Sequence, residues 1–308
     1  MNINNKISLV FITAFLYGCN VDGSKFANSI IQGIVQPAPV AENIDYCPSK
    51  QPHSYENYTL IWLENFDDVG LNESNWNFMY GDGQNYGVPG WGNNELQYYS
   101  DKDSTAFIRD GKLVLRADIV PQGTGSSDNL RYFSSARLRT SGKGDWLYGR
   151  VEVKAKIALG QGIWPAIWML PTDWMYGGWP KSGEIDIMEH VGYDPGVVHG
   201  SVHTGKYNHS LNTQKTSSKK LSDIDEKFYV YAIEWYQDRI DFYMNNEKYF
   251  SFYNDERNDF ESWPFNQRFH LLLNIAVGGN WPGSPDETTA FPAEMEIEYV
   301  RVYEKLPS

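Results

Sequence analysis

Apolar and polar side chains alternate with a period of two in several runs along the chain. In Tyr148–Ile157, Val151, Val153, Ala155 and Ile157 face one way, and Arg150, Glu152, Lys154 and Lys156 face the other. Successive side chains of a strand point to opposite faces, so this is the pattern of a β-strand. Lys112–Asp118, Phe228–Tyr236, Phe269–Val277 and Glu294–Tyr303 read the same way, and Gly, Pro, Asn and Asp separate the runs. No stretch of ordinary helical length is amphipathic, and no internal repeat is present, which counts against propellers and solenoids. The pattern predicts an all-β domain over 55–306 made of two packed antiparallel sheets. A jelly-roll β-sandwich suits this length, and its curved inner sheet would offer a concave substrate cleft.

The first 54 residues follow a different pattern. Lys6 precedes an apolar run from Ile7 to Gly18. Twelve residues are too few to span a bilayer, which needs about 20, but they fit the apolar core of a signal peptide over 1–18. The run ends Leu16-Tyr17-Gly18-Cys19, which resembles a bacterial lipobox with Cys19 as the acylated residue; an ordinary signal peptide with an incidental cysteine is the alternative. Residues 19–54 hold Pro37, Pro39, Pro48 and Pro52 among Asn, Ser and Gln, and read as a flexible linker. The expectation is an exported protein of the cell envelope, held to the membrane through its N-terminal lipid alone, or else secreted. The only other cysteine is Cys47, so a lipidated Cys19 leaves no internal disulfide.

Composition narrows the function. Aromatics make up 15% of the 308 residues, with 11 Trp and 21 Tyr, enough to build a large core rather than a disordered chain. Lys and Arg number 26 against 39 Asp and Glu, a formal charge of −13. Such a field repels nucleic acid and disfavours sulfated polysaccharides, so a neutral partner fits best.

The most informative segment is Ser182-Gly-Glu-Ile-Asp-Ile-Met-Glu-His190. Glu184, Asp186 and Glu189 lie in a stretch, Gly183 to Asp194, that holds no Lys or Arg, and clustered carboxylates raise one another's pKa. Glu184 and Asp186 share a face, whereas Glu189 would point into the core of a regular strand. One extra residue at Ile187-Met188, a β-bulge, returns it to the first face. The two glutamates then resemble an i,i+4 pair, with Cα atoms roughly 13 Å apart at ~3.3 Å per residue. Long glutamate side chains leaning together can reach the ~5–5.5 Å that a retaining glycosidase needs.

The bulged Glu-x-Asp-x-x-Glu resembles the catalytic signature of glycoside hydrolase family 16. Its flanks resemble the laminarinase-like, endo-β-1,3-glucanase branch: Trp91-Gly-Asn-Asn-Glu-Leu-Gln-Tyr-Tyr99, Gly162-Ile-Trp-Pro-Ala-Ile-Trp-Met-Leu170, Gly178-Trp-Pro180, Val198-His-Gly-Ser-Val-His-Thr204, Ala276-Val-Gly-Gly-Asn-Trp-Pro-Gly283 and Tyr299-Val-Arg-Val-Tyr303. The resemblance implies retaining hydrolysis of β-1,3-glucan, and of mixed-linkage β-1,3-1,4-glucan as well, by a monomer needing no catalytic cofactor. It makes Glu184 the nucleophile and Glu189 the general acid/base, with Asp186 tuning Glu184 through a hydrogen bond. Asn94, Glu95 and Arg137 match sugar-contacting positions, although a surface arginine is a fair alternative for Arg137. Trp164, Trp168 and Trp179 resemble glucose-stacking platforms, with core packing as the alternative, and Trp281 sits in a loop suited to the cleft rim. His203 matches a histidine that hydrogen-bonds near the cleaved linkage. His199 and His203 lie too far apart along a strand, about 13 Å, to share one metal ion directly. Relatives hold a structural calcium ion with an Asp where this chain has Glu298, whose longer side chain counts against that ion. Two other functions compete: a galactan hydrolase of the agarase or carrageenase kind, and a β-glucan-binding protein without activity.

Overall fold

The computed structural model describes residues 50–101, 103–127, 129–255 and 259–307. The expected signal peptide, Cys19, Cys47 and the linker as far as residue 49 lie outside the described residues. The compact body runs from Pro52.

Two sheets form the body. The outer sheet has ten strands, in the order Glu247–Tyr253, Arg239–Met244, Tyr229–Trp235, Gly149–Lys156, Ala293–Lys305, Lys112–Ser126, Asn129–Ser135 and Gln97–Tyr99. Tyr58–Glu64 joins it on Ala293–Lys305, and Ala106–Arg109 on Lys112–Ser126. The inner sheet has eight, in the order Lys215–Lys220, Val197–His203, Glu184–His190, Ile163–Pro171, Phe269–Val277, Arg137–Arg139 and Asn77–Met79, with Asp145–Trp146 added on Phe269–Val277. Every pairing is antiparallel except that of Gln97–Tyr99 with Asn129–Ser135. Helix among the described residues is limited to short 3-10 turns. The all-β sandwich expected from the sequence is the fold observed.

Alternation explains the core. Val151, Val153, Ala155 and Ile157 join one apolar cluster with Ile185, Ile187, Phe269, Leu271, Leu273, Ile275 and Val277, so facing strands of the two sheets fill the space between them. The other face of Gly149–Lys156 is less open than its charges suggest. Arg150 and Glu152 are almost fully buried. The rings of Tyr55 and Tyr243 lie 4.3 and 5.3 Å from the Arg150 guanidinium, Arg150 Nε donates to Glu152 at 3.0 Å, and the Tyr55 hydroxyl donates to the same carboxylate at 2.7 Å. Buried charges persist only when paired in this way. Farther along, Lys154 Nζ meets Glu298 at 3.0 Å and Lys156 Nζ meets Glu296 at 2.9 Å.

Candidate active site

The strand Glu184–His190 lies inside the inner sheet, paired on both edges. Toward Ile163–Pro171, Ala166 faces Glu189, Ile167 faces Met188 and Trp168 faces Asp186, which leaves Ile187 as the extra residue. Toward Val197–His203, Asp186 faces Ser201 and Glu189 faces His199, so Ile187 and Met188 together oppose Gly200. Both side chains of this bulge enter the core. Glycine suits the opposing position, because a Cβ on Gly200 would come within 2.9 Å of Phe242 in the outer sheet. The bulge expected at Ile187-Met188 is therefore present, and it sets Glu189 on the same face as Glu184 and Asp186.

That face is crowded with carboxyl groups. Burial is the largest cause holding Glu184, Asp186 and Glu189 above the usual carboxylate range, and Asp186 adds to it for both glutamates. Glu184 faces His203 across the strand pair, and Glu189 faces His199. His203 Nε2 lies 3.3 Å from Asp186 Oδ2 and 3.8 Å from Glu184 Oε1. Trp164 Nε1 donates to Glu189 Oε1 at 3.1 Å, which opposes the upward shift of that carboxyl; Trp179 stands with its ring centroid 6.2 Å from that of His203, the residue facing Glu184. Glu184, Asp186 and His203 offer ligand-type atoms within 4.8 Å of one another. Carboxyl groups as close as those of Glu184 and Asp186 take up and release protons as a coupled pair.

Trp164 and Trp168 share the cleft face of Ile163–Pro171, while Ile167 between them is in the core. The two tryptophans are not equivalent. Trp164 meets Trp281 edge-on at 5.6 Å, and Trp281 in turn meets His199 at 5.2 Å, so the loop tryptophan does reach the catalytic strand's neighbours. Trp168 donates to Asn274 Oδ1 at 2.7 Å. Arg137 is not a surface arginine: it is 7% exposed, with the rings of Trp91 and Trp168 4.5 and 4.7 Å from its guanidinium. Glu95 is buried nearby, where burial pushes its carboxyl up to about 7 against the pull of Arg137 and Gln97. Asn94 donates to Asn280 Oδ1 at 2.8 Å, and Asn280 N–H donates to the Asn93 carbonyl at 2.8 Å. These two bonds join the loop bearing Asn94 and Glu95 to the loop bearing Trp281.

Five residues near this site escaped the sequence reading. Trp91, Tyr99 and Leu272 form a second apolar cluster with Trp168 packed against it, and Tyr99 accepts a hydrogen bond from Asn274 Nδ2 at 3.1 Å. Asn274 carried a signal, being an amide within the apolar run Phe269–Val277, every residue of which is buried. The fifth is His209, whose ring centroid lies 5.0 Å from that of Trp179 and 5.3 Å from that of His203.

Comparison with known proteins follows the same outline. The model of the glycosyl hydrolases family 16 matches residues 89–301. A beta-glucanase of Rhodothermus marinus is 44% identical over 263 residues, covering 82% of this chain and 86% of its own. Among solved structures, the laminarinase catalytic domain of Thermotoga maritima superposes with a TM-score of 0.76 at 39% identity, covering 82% of this chain and all of that one. A non-specific endo-β-1,3(4)-glucanase superposes with a TM-score of 0.74 at 38% identity, covering 83% of this chain and 94% of that one.

Proposed function

This chain belongs to the glycosyl hydrolases of family 16, and on that premise we propose that it is a retaining endo-β-1,3-glucanase that also accepts mixed-linkage β-1,3-1,4-glucan. The observation that carries the reading is the bulge opposite Gly200, which sets Glu184, Asp186 and Glu189 on one face of one strand.

Each group has a task. Glu184 attacks the anomeric carbon and forms a glycosyl ester while Glu189 gives its proton to the departing oxygen. Burial and the neighbouring Asp186 suit Glu189 to hold that proton near neutral pH. In the second step Glu189 takes a proton from water, which opens the ester and restores the β-anomer. Asp186, between the two, places a like charge beside Glu184 and so tunes its ionisation. Trp164, Trp168, Trp179 and Trp281 offer rings to glucose units. Asn94, Glu95 and Arg137 shape the adjoining part of the cleft, and His203 supports the reacting carboxylates.

The names of the relatives, a beta-glucanase, a laminarinase and an endo-β-1,3(4)-glucanase, support glucan over galactan, as does the charge of −13 against sulfated chains. A binding protein without activity has no need of two glutamates spaced for displacement. A structural calcium ion is not part of this reading: the ammonium of Lys154 already neutralises the Glu298 carboxylate, so the position does not fit a resident divalent cation. The reading extends to lipid on Cys19 and a place at the cell envelope. A fatty-acid analogue should label the wild type and not Cys19→Ala; equal labelling of both overturns the anchor.

Digestion of laminarin, mixed-linkage glucan, agarose and carrageenan, with product sizing, tests the substrate. Oligosaccharides of several lengths from laminarin are expected. Agarose degraded with laminarin untouched would overturn the assignment.

A further inference from the structure

The loop between the strands Val197–His203 and Lys215–Lys220 is held more firmly than a simple connection requires. Asn208, 2% exposed, donates from Nδ2 to the carbonyls of Thr204 and Gly205 at 3.0 and 3.1 Å, and accepts from Leu211 N–H at 3.2 Å. It thereby caps the 3-10 turn His209–Leu211, which closes through Asn212 in the left-handed region at φ 54°. Thr213 Oγ1 ties the far end back to the Lys206 carbonyl at 2.8 Å. The product of all these bonds is a fixed place for the imidazole of His209.

Trp179 has little else to hold it. It follows Gly177 and Gly178, around which a Cβ would meet nothing within 4 Å. Its indole is 37% exposed. Its described ring neighbours are two imidazoles: His209 at 5.0 Å with planes 33° apart, and His203 farther off at 6.2 Å. His209 also stands edge-on to His203 at 5.3 Å. Burial and the nearby His203 depress the pKa of His209, which favours a neutral ring against the indole.

We propose that His209 is a positioning residue of the hydrolytic reaction, bracing the Trp179 indole in its place beside His203, which faces Glu184, so that the ring is held ready for a glucose unit; this rests on the family reading given above. His209 touches neither Glu184 nor the sugar in this role, and acts only through Trp179.

A double-mutant cycle tests it. The full-length protein, His209→Ala, Trp179→Ala, the double variant and His209→Phe are compared by kcat/KM on whichever soluble β-glucan the wild type cleaves, with Tm recorded for each. His209→Ala should lose about tenfold, the scale of coupling between residues in contact. The double variant should be no worse than Trp179→Ala alone, because the brace has nothing left to hold. His209→Phe keeps a ring on the indole and should recover most of the loss; this variant also serves if His209→Ala does not fold. Losses that multiply in the double variant, no loss in His209→Ala, or a folded His209→Phe as impaired as His209→Ala would each overturn the proposal. A wrong linkage assignment shows separately, as a wild type silent on laminarin but active on another β-glucan.

Discussion

Trp164 and Glu189 stand diagonally across neighbouring strands, and the indole N–H of the first donates to the carboxylate of the second at 3.1 Å. Glu189 thus carries one indole hydrogen bond, which favours its ionised form, inside surroundings that favour the neutral one. The balance between these effects sets when the group holds its proton.

Trp164→Phe keeps a ring on the cleft face and removes the donor. Glu189 also faces Asp186, His203 and His199, and these are unchanged. Loss of the bond should raise the pKa of Glu189 further, so the alkaline limb of the kcat/KM profile should move to higher pH. The rate at the optimum should fall about tenfold, as expected for a hydrogen bond of about 1.5 kcal/mol to a charged group. A profile that keeps its shape with a uniform loss would assign Trp164 to sugar stacking alone.

The two glutamates should fail differently. Glu189→Ala keeps the nucleophile, so an activated aryl glycoside should still form the ester, and azide should release it as the β-glycosyl azide. Glu184→Ala leaves a cavity on the α-face, where azide should displace the leaving group once and give the α-azide. Each change should lower laminarin hydrolysis by several orders of magnitude, since the pair works as a unit. Product anomers read by NMR decide the roles, and the reverse pattern would exchange them.

Stability should depend on pH with a definite sign. The Glu189 carboxyl is pushed up to about 8 in the folded protein, chiefly by burial, from an ordinary value of about 4.3. A group raised on folding contributes fully below its unfolded pKa and loses that contribution as pH rises through the folded one. Glu189→Gln stays neutral throughout. Its Tm should match the wild type near pH 4 and exceed it near pH 8, by about 2–4 °C for each kcal/mol relieved. A wild type equally or more stable than the variant at pH 8 would contradict the burial account.

The Lys154–Glu298 pair predicts indifference to calcium. Neither EDTA nor added Ca²⁺ should move the Tm of the wild type. Lys154→Ala leaves the mostly buried Glu298 without its ammonium and should lose about 1 kcal/mol or more. Thermal shifts with and without Ca²⁺ check both statements, and a wild type stabilised by millimolar Ca²⁺ would refute the first.

The strands and the shared face of Glu184, Asp186 and Glu189 were legible in the sequence because both rest on counting. Phe269–Val277 was found with its observed limits, and the misplacement of Glu189 by one position was enough to infer the bulge. What stayed hidden depends on contacts between distant segments. Nothing near Arg150 and Glu152 announces that Tyr55, 95 or more residues away along the chain, will cover them. Ser135-Ala-Arg-Leu-Arg139 gives no hint that Arg137 lies between two tryptophan rings. His209 sits in a loop without periodicity, and its place is fixed by the amide of Asn208 rather than by any alternation.

The doubled residue opposite Gly200 also bears on how the gene can change. Insertions and deletions are ordinarily confined to loops, because one codon gained or lost in a strand reverses every side chain beyond it. Here the frame has one point of slack. Losing the codon of Ile187 or Met188 would remove a core side chain, yet Glu184, Asp186 and the following glutamate would still alternate onto the cleft face. Losing Ile185 would turn Asp186 inward. A strand at the centre of a sheet has thereby acquired, at a single step, the freedom of length that belongs to a turn.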